Sequence, residues 1–246
     1  MVLLGDYHTH TPYSHGKGTI LDNAFVAKEK GLKQIAITDH GFGHIKYGMK
    51  PRDIEPMRKE IEIAQEKTGV KILLGIEANF ISLDGTIDLT SEQLSWFDVI
   101  VCGFHYAAKP KSFGDAFGYF LPNYSPFKPT KRHIQRNTEA IMRSLDKYPI
   151  DVISHMGYAC PVDFCRLARH CRDCGTYVEL NGKRINFGDE ELLQMQSDNV
   201  KLIVNSDAHR AERVGECNQG MNMITRLEIN PDLVVNIDKI PTFKTK

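Results

Sequence analysis

Seven histidines and two carboxylates in this sequence have the residue types and the spacing of a metal centre. Each lies just after a short apolar run, and the set extends from residue 8 to residue 209. The nine residues are His8, His10, His15, His40, Glu77, His105, His155, Asp207 and His209. Imidazole and carboxylate groups are the ligands that zinc, manganese and iron take from proteins. Because one ion takes roughly four to six ligands, the set predicts two or three divalent ions with one carboxylate bridging two of them.

A metal cluster of this kind favours hydrolysis. Each ion is a Lewis acid toward a phosphoryl oxygen, and it lowers the pKa of a bound water to about 7. Paired ions also stabilise both the attacking and the leaving oxygen of an in-line displacement. The cluster therefore predicts phosphoester hydrolysis, with amide hydrolysis as the other common outcome.

The apolar runs that precede these residues have the pattern of buried parallel strands. They are short, rich in Val and Ile, and apolar at both odd and even positions, as expected of strands covered on both faces. The runs are residues 2–7, 33–38, 70–76, 98–104, 150–154, 176–180 and 201–205. Helical patterns separate them, roughly at 20–30, 53–67, 130–147, 163–173, 189–197 and 211–227. Strands that alternate with helices predict βα units and a parallel sheet.

A closed barrel explains the positions of the nine residues better than an open sheet does. No Gly-rich phosphate loop follows the first strand, which disfavours a nucleotide-binding open sheet. In an α/β barrel, the carboxyl ends of all strands meet on the face where active sites form. We therefore expect a single domain over residues 1–246, an α/β barrel of seven βα units in which the nine side chains converge.

Two segments interrupt the alternation of strands and helices. Residues 83–88 contain Asp-Gly and predict a hairpin turn. Residues 106–129 carry four prolines and seven aromatics without periodicity. A stretch this long in a compact domain is usually functional or disordered, and its aromatics argue against disorder. We expect it to contact the organic part of a substrate and set selectivity, the alternative being that the aromatics only pack the segment onto the barrel.

The composition indicates which classes of partner and which cellular compartment to expect. The 31 Lys and Arg residues balance 31 Asp and Glu residues, whereas nucleic-acid binders usually carry a basic excess. No apolar run approaches the roughly 20 residues that a membrane span needs, and the first residues lack a signal-peptide pattern. We therefore expect a cytoplasmic protein with six reduced cysteines, no membrane association and no nucleic-acid partner. Its oligomeric state is left open.

The ordered series of motifs resembles the PHP (polymerase and histidinol phosphatase) superfamily. The matching segments are DYHTHTPYSHGKGT (6–19), AITDHG (36–41), GIEAN (75–79), GFHY (103–106), VISHMG (152–157), ELN (179–181) and NSDAH (205–209). They cover essentially the whole chain. The resemblance implies a distorted (β/α)7 barrel, in agreement with the seven runs, and is strongest to the stand-alone bacterial members with a trinuclear zinc site.

The resemblance also implies how the ligands divide among three ions. His8, His10, Glu77 and Asp207 would hold the first ion, and Glu77 would bridge it to a second. The second would be held by Glu77, His105 and His155, and the third by His15, His40 and His209. Zinc is favoured, with manganese and iron as alternatives. Glu77, His105 and Asp207 are the expected catalytic residues, and no organic cofactor is expected.

Four further residues are candidates for contact with the substrate. Asn181 ends the sixth run, and Lys183 and Arg184 follow it directly. Arg and Lys suit phosphate recognition, and Lys109 in the long segment is a further candidate. The alternative for Asn181 is a turn cap, and for the three cations a solvated surface. Asp39 has two interpretations, as an acceptor that orients an imidazole or as a helix N-cap or turn residue.

The predicted function is hydrolysis of a small phosphomonoester by metal-bound hydroxide, with histidinol phosphate as one candidate substrate. Two alternatives belong to other classes. One is a PHP-type nuclease acting on nucleic-acid ends, which the neutral charge disfavours. The other is a non-catalytic metal-binding module, which the complete ligand set disfavours. Cys160, Cys165, Cys171 and Cys174 also invite a zinc or redox interpretation, but two of them lie within a predicted helix and helical thiols are the simpler one.

Overall fold

The computed structural model describes residues 1–244 and contains a nearly closed barrel of seven parallel strands. The strands are β1 (Gly5–Asp6), β2 (Gln34–Ile37), β3 (Lys71–Asn79), β4 (Val99–Gly103), β5 (Val152–Ile153), β6 (Tyr177–Asn181) and β7 (Leu202–Asn205). Each pairs in parallel with the next along the chain, so their spatial order is β1-β2-β3-β4-β5-β6-β7. Every predicted run contains or overlaps one of these strands, and the predicted (β/α)7 barrel is confirmed.

The barrel closes just beyond its first and last strands. Thr9 and Ala208 form a parallel bridge. The His10 amide donates to the Ala208 carbonyl at 2.8 Å, and the Ala208 amide donates to the His8 carbonyl at 3.2 Å. The seam thus joins the two stretches of chain that carry His8, His10 and Asp207, so closing the barrel also brings these residues together.

Helices surround the strands. They are α1 (Ile20–Glu29), α2 (Ile54–Thr68), α3 (Ser91–Leu94), α4 (Phe113–Asp115), α5 (Leu121–Asn123), α6 (Lys131–Lys147), α7 (Phe164–Cys174), α8 (Asp189–Ser197) and α9 (Asn218–Arg226). Five of the six predicted helices agree to within one residue at each end. The sixth, predicted over 211–227, begins only at Asn218, because Ala211–Arg213 is a single 3-10 turn and Gly215 has a φ of 74° that breaks the helix. Within residues 1–244, no helix is long and apolar enough to cross a membrane.

The barrel interior contains a small apolar layer beneath the predicted metal centre. Tyr7, Leu73 and Val101 belong to this buried cluster, and Phe243 covers it with its ring 5.1 Å from that of Tyr7. Successive side chains of a strand point to opposite faces, so Glu77, four residues after Leu73 on β3, also points into the barrel. Apolar side chains therefore fill the amino-terminal end of the barrel, while ionisable side chains occupy the carboxyl-terminal end.

The segment 106–129 is more ordered than its sequence predicted. It contains α4, a π-helical turn at Ala116–Phe120 and α5. Tyr119 and Phe120 are buried, with their rings 5.2 Å and 5.0 Å from that of Phe104. Helical periodicity was not visible because two very short helices flank a π turn. The hairpin turn predicted at 83–88 is present, with a Phe80–Ile87 antiparallel bridge and a φ of 86° at Gly85.

Candidate metal centre

The nine residues with metal-ligand chemistry meet at the carboxyl end of the barrel. Seven line a cavity of about 340 Å³, namely His15, His40, Glu77, His105, His155, Asp207 and His209. His8 and His10 are fully buried and lie against Glu77 and Asp207. The strand ends therefore bring together all nine side chains that the sequence singled out.

Glu77 lies at the centre of the cluster. Its Oε1 is 2.8 Å from His155 Nε2 and 3.2 Å from the Nε2 atoms of both His8 and His105. Its Oε2 is 2.8 Å from His40 Nδ1 and 3.7 Å from Nε2 of His10. Burial opposes ionisation, but the neighbouring imidazoles, above all His105, hold the pKa of Glu77 well below its usual value. An ionised carboxylate with both oxygens among five rings has the position required of a bridging ligand.

Asp207 forms a second acidic position at the seam of the barrel. Its Oδ1 is 3.4 Å from His10 Nε2 and 3.3 Å from His209 Nδ1. Asp207 has a φ of 52° and His155 a φ of 29°, both in the left-handed region that non-glycine residues seldom adopt. Such strain persists where surrounding structure fixes the chain and is concentrated at functional sites. Here it directs both side chains into the cluster.

At the barrel mouth, three groups of ligand atoms are compact enough to surround an ion. They are His8, His10 and Asp207; His40, Glu77 and His105; and His10, His40 and His209, with the atoms of each group within 4.8 Å of one another. The first agrees with the division that the family resemblance implied. His40 belongs to both of the other two groups. Its Nδ1 is 2.8 Å from Glu77 Oε2, whereas its ring is 6.0 Å from that of His209. The ring of His15 is 4.2 Å from that of His209 and 4.9 Å from that of His40, which keeps the implied third group together.

Unpartnered polar atoms show that the cluster fits metal ions. Six buried atoms of this cluster have no partner with hydrogen-bond geometry: His8 Nε2, His10 Nδ1, His10 Nε2, His15 Nδ1, His40 Nδ1 and Glu77 Oε2. The last two are 2.8 Å apart but are not aligned for a hydrogen bond. Buried polar groups are costly unless they are paired, and a cation shared between these lone pairs removes that cost. Burial lowers the pKa of His15 to about 4 and that of His40 to about 3, so both rings are neutral and able to coordinate.

A layer of polar groups behind the ligands fixes the orientation of their rings. Glu179 accepts from His8 Nδ1 at 2.8 Å and from the His155 amide at 2.7 Å. Asn79 Oδ1 accepts from His105 Nδ1 at 2.7 Å. A partner on Nδ1 directs Nε2 of each ring toward Glu77, as outer partners of metal-binding histidines generally do. These roles were not predicted, although Glu179 stands near the end of β6, where such a carboxylate is expected.

Asp39 has a different role from either one expected of it. It accepts from the Thr11 amide at 2.8 Å, from the Thr11 hydroxyl at 2.5 Å, and from the Ser14 hydroxyl. Its Oδ1 is 4.0 Å from His10 Nδ1, too far for a hydrogen bond. Asp39 therefore holds the loop between His10 and His15 in place. Burial raises its pKa to about 6.

The cavity rim carries two of the three cations predicted to meet phosphate. Lys183 Nζ is 3.1 Å from Asp207 Oδ1 and 2.6 Å from His209 Nδ1. The guanidinium of Arg184 lies 5.2 Å from the centre of the Tyr158 ring, a cation–π contact. Lys109 is not among the residues that line the cavity.

Asn181 positions these cations. Its Oδ1 accepts from the backbone amides of Lys183 at 2.9 Å and Arg184 at 3.2 Å, and its Nδ2 donates to Glu179 at 2.9 Å. The amide thus caps a turn, which was the alternative weighed for it, and it also lines the cavity.

Aromatic residues extend the site beyond the ligands. His44, Tyr47 and Tyr158 line the same cavity, and the ring of Tyr47 stacks 4.4 Å from that of His15. A second cavity, of about 270 Å³ and almost wholly apolar, is lined by Ile45, Tyr106, Ala108, Pro110, Ala116, Phe117, Phe120, Leu121 and Tyr124. Tyr106, whose ring lies 6.4 Å from that of Tyr158, connects the two cavities. The segment 106–129 therefore forms most of an apolar surface beside the metal centre.

Comparison with known proteins agrees with this geometry. Residues 6–219 match the family model of the PHP domain. A relative from Thermoanaerobacter sp. (strain X514), named as a probable phosphatase, is 30% identical over 97% of this chain and 92% of its own length. A second relative with the same name, from Shewanella sediminis, is 29% identical over 96% of this chain and 90% of its own.

The fold also matches a solved structure. The histidinol phosphate phosphatase of Lactococcus lactis, crystallised with zinc, L-histidinol and phosphate, superposes with a TM-score of 0.67 at 15% identity. The match covers 100% of this chain and 98% of that one. At this identity the likeness supports the fold, while the domain match and the relative at 30% identity establish the family.

Proposed function

The chain belongs to the PHP family and is a metal-dependent phosphoesterase, and we propose that it hydrolyses a small phosphomonoester with two or three divalent ions bound at the barrel mouth. The observation that carries this proposal is the ionised Glu77 carboxylate among five imidazoles, with unpartnered buried atoms on both sides. The size of the adjoining cavity, about 340 Å³, suits a small substrate.

We assign the ligands to three positions. His8, His10 and Asp207 would hold one ion, His105 and His155 a second, and His15, His40 and His209 a third, and Glu77 would be shared by the first two. The compact group of His8, His10 and Asp207 supports the first position, and the outer partners Glu179 and Asn79 support the roles of His8 and His105. The His15 ring, 4.2 Å from that of His209 and 4.9 Å from that of His40, supports the third. The preponderance of imidazole ligands favours zinc. When bound, such ions polarise a phosphoryl oxygen and lower the pKa of a coordinated water.

The chain's own residues supply the remaining functions. Glu77 and Asp207 keep their charge in a buried site and balance that of the ions. Lys183 and Arg184 stand where the non-bridging oxygens of a phosphate would approach, and charge-assisted hydrogen bonds of this type are the strong ones. Asn181 holds both residues at the rim through their backbone amides.

The second cavity is where we place the organic part of the substrate. Its lining from Phe117, Phe120 and Leu121 favours an apolar or aromatic group over a charged one. Histidinol phosphate remains one candidate substrate, because the alcohol that it releases carries an aromatic imidazole ring; its ammonium group would have to lie outside this apolar cavity. Because metal ions contact only the phosphoryl group, selectivity among esters has to come from such surfaces.

A screen of phosphorylated metabolites, with the metal content measured on the same preparation, tests the proposal. We expect hydrolysis of one class of phosphomonoester, at least two metal equivalents per chain, and loss of turnover in Glu77→Gln. Glu55→Gln, an exposed substitution on α2, is the matched control. One equivalent or less after reconstitution would contradict the multinuclear centre. Release of nucleotides from DNA ends without phosphomonoesterase activity would favour the nuclease alternative instead.

A further inference from the structure

A second group of metal-binding side chains lies on the outer surface, where α6 meets α7. Asp146 is the penultimate residue of α6, and His170 and Cys174 lie on α7. One ligand atom from each comes within 4.8 Å of the other two. We propose that these three residues form a separate site for a borderline-soft divalent ion of the zinc class, independent of the phosphoesterase centre.

The helix geometry brings the two α7 ligands together. His170 and Cys174 are four residues apart, so they lie on one face of the helix, one turn from each other. The α6 carboxylate reaches both, with Asp146 Oδ1 2.8 Å from His170 Nε2 and 3.9 Å from Cys174 Sγ. A tetrahedral ion with bonds of about 2.0–2.3 Å sets its ligand atoms roughly 3.3–3.5 Å apart. The two observed distances bracket that range, so small side-chain rotations are enough to admit an ion.

The surroundings of the group suit an incoming cation. Asp146 forms an ion pair with His170. Among residues 1–244, no lysine or arginine forms an ion pair with it. Burial and the neighbouring Asp146 carboxylate raise the pKa of the Cys174 thiol, although Lys244 partly opposes them. The thiol is therefore protonated before binding, and binding releases its proton, as metal sites with cysteine ligands generally do. The Asp146 side chain is 58% exposed, so solvent and ions reach the group.

The thiolate separates this site chemically from the phosphoesterase centre. None of the nine residues at the barrel mouth is a cysteine, whereas thiolate ligands select zinc and similar soft ions. The ion would fasten α6 to α7 at the end of α7 that leads into β6, the strand that carries Glu179. Its expected role is therefore structural, in holding two neighbouring helices of the outer layer together.

Titration of the full-length protein with Co²⁺ tests the proposal, because a thiolate ligand gives Co²⁺ a charge-transfer band in the near ultraviolet that histidines and carboxylates do not give. We expect the band in the wild-type protein and its loss in Cys174→Ser and His170→Ala. Cys165→Ser is the matched control, since Cys165 is also partly buried on α7 but belongs to no candidate ligand group. That variant should keep the band.

Asp146→Asn tests the third ligand. Loss of an outer partner alone weakens metal binding about 10–100-fold, so loss of a direct ligand should weaken Co²⁺ binding at this site at least tenfold. Phosphatase turnover should stay unchanged in all these variants, which also shows that they fold. The proposal is overturned if the wild-type protein gives no thiolate band or if the band survives Cys174→Ser. An unchanged Co²⁺ affinity in Asp146→Asn would remove Asp146 from the site.

Discussion

The buried residues at the base of the metal cavity, which we call its floor, are held more firmly than the exposed residues at its rim. On the floor, His8, His10 and Glu77 are almost completely buried, and Glu179 behind His8 accepts four hydrogen bonds. On the rim, Lys183 is 38% exposed and its ammonium contacts two neighbouring side chains. Side chains that are fixed on all sides suit metal binding and the chemistry that is common to the family. Exposed side chains can be replaced without disturbing the core, so they can be adapted to different substrates.

This contrast predicts that floor substitutions abolish turnover whereas rim substitutions change affinity and selectivity. Glu77→Gln should have the largest effect, because it removes the charge that two ions share. Metal ions contribute several kcal/mol to transition-state stabilisation, so we expect turnover of a generic aryl phosphate to fall about 10³-fold or more. Metal analysis of the same sample should show loss at two positions. Full metal content with full turnover would mean that Glu77 bridges nothing.

Glu179→Gln should have the next largest effect on turnover. The carboxylate accepts from His8, the His155 amide, Asn181 and Asn205, and a glutamine would present an NH₂ group to one pair of these donors. Loss of such an outer partner costs about 10–100-fold in metal affinity or activity. Turnover measured against zinc concentration reports the change. Glu191→Gln, an α8 substitution, is the control, and equal behaviour of the two variants would exclude the orienting role.

Lys183→Met should weaken the use of the substrate more than it weakens metal binding. A hydrogen bond to a charged group contributes about 1.5–3 kcal/mol, so kcat/KM should fall about 10–100-fold while metal content is retained. Lys109→Met is the matched control, because Lys109 lies in the loop that follows β4 and does not line the cavity. A larger loss from Lys109→Met than from Lys183→Met would place the phosphate on the other side of the barrel mouth.

Phe117→Ala and Leu121→Ala should have the smallest effect on generic hydrolysis. Both side chains line the apolar cavity and are more than half exposed, so their removal leaves the core intact. We expect aryl phosphate turnover within about twofold of wild type and a drop in kcat/KM of about 10–100-fold for substrates with apolar leaving groups. An unchanged ranking of natural substrates would show that the segment 106–129 does not set selectivity.

The sequence predicted the floor far better than the rim, for a physical reason. His40, Glu77 and His105 follow apolar runs that can only be buried strands, and parallel strands present their carboxyl ends on one face. Lys109 and Lys183 lie in loops, where the loop conformation decides the direction of a side chain, and the periodicity of the sequence does not predict that conformation. The helical turns around Tyr119 were missed likewise, because they are too short for an amphipathic pattern.

The seam between Thr9 and Ala208 has a consequence for the synthesis of the protein. A ribosome releases His8 and His10 early and Asp207 and His209 only after most of the chain has emerged, so a nascent chain cannot assemble the complete centre. Any ion that binds the early histidines does so without the later ligands and is held weakly. Pulse-labelled chains that end before residue 200 lack Asp207 and His209, so they should exchange the ions of the first and third positions freely, whereas the full-length protein retains them.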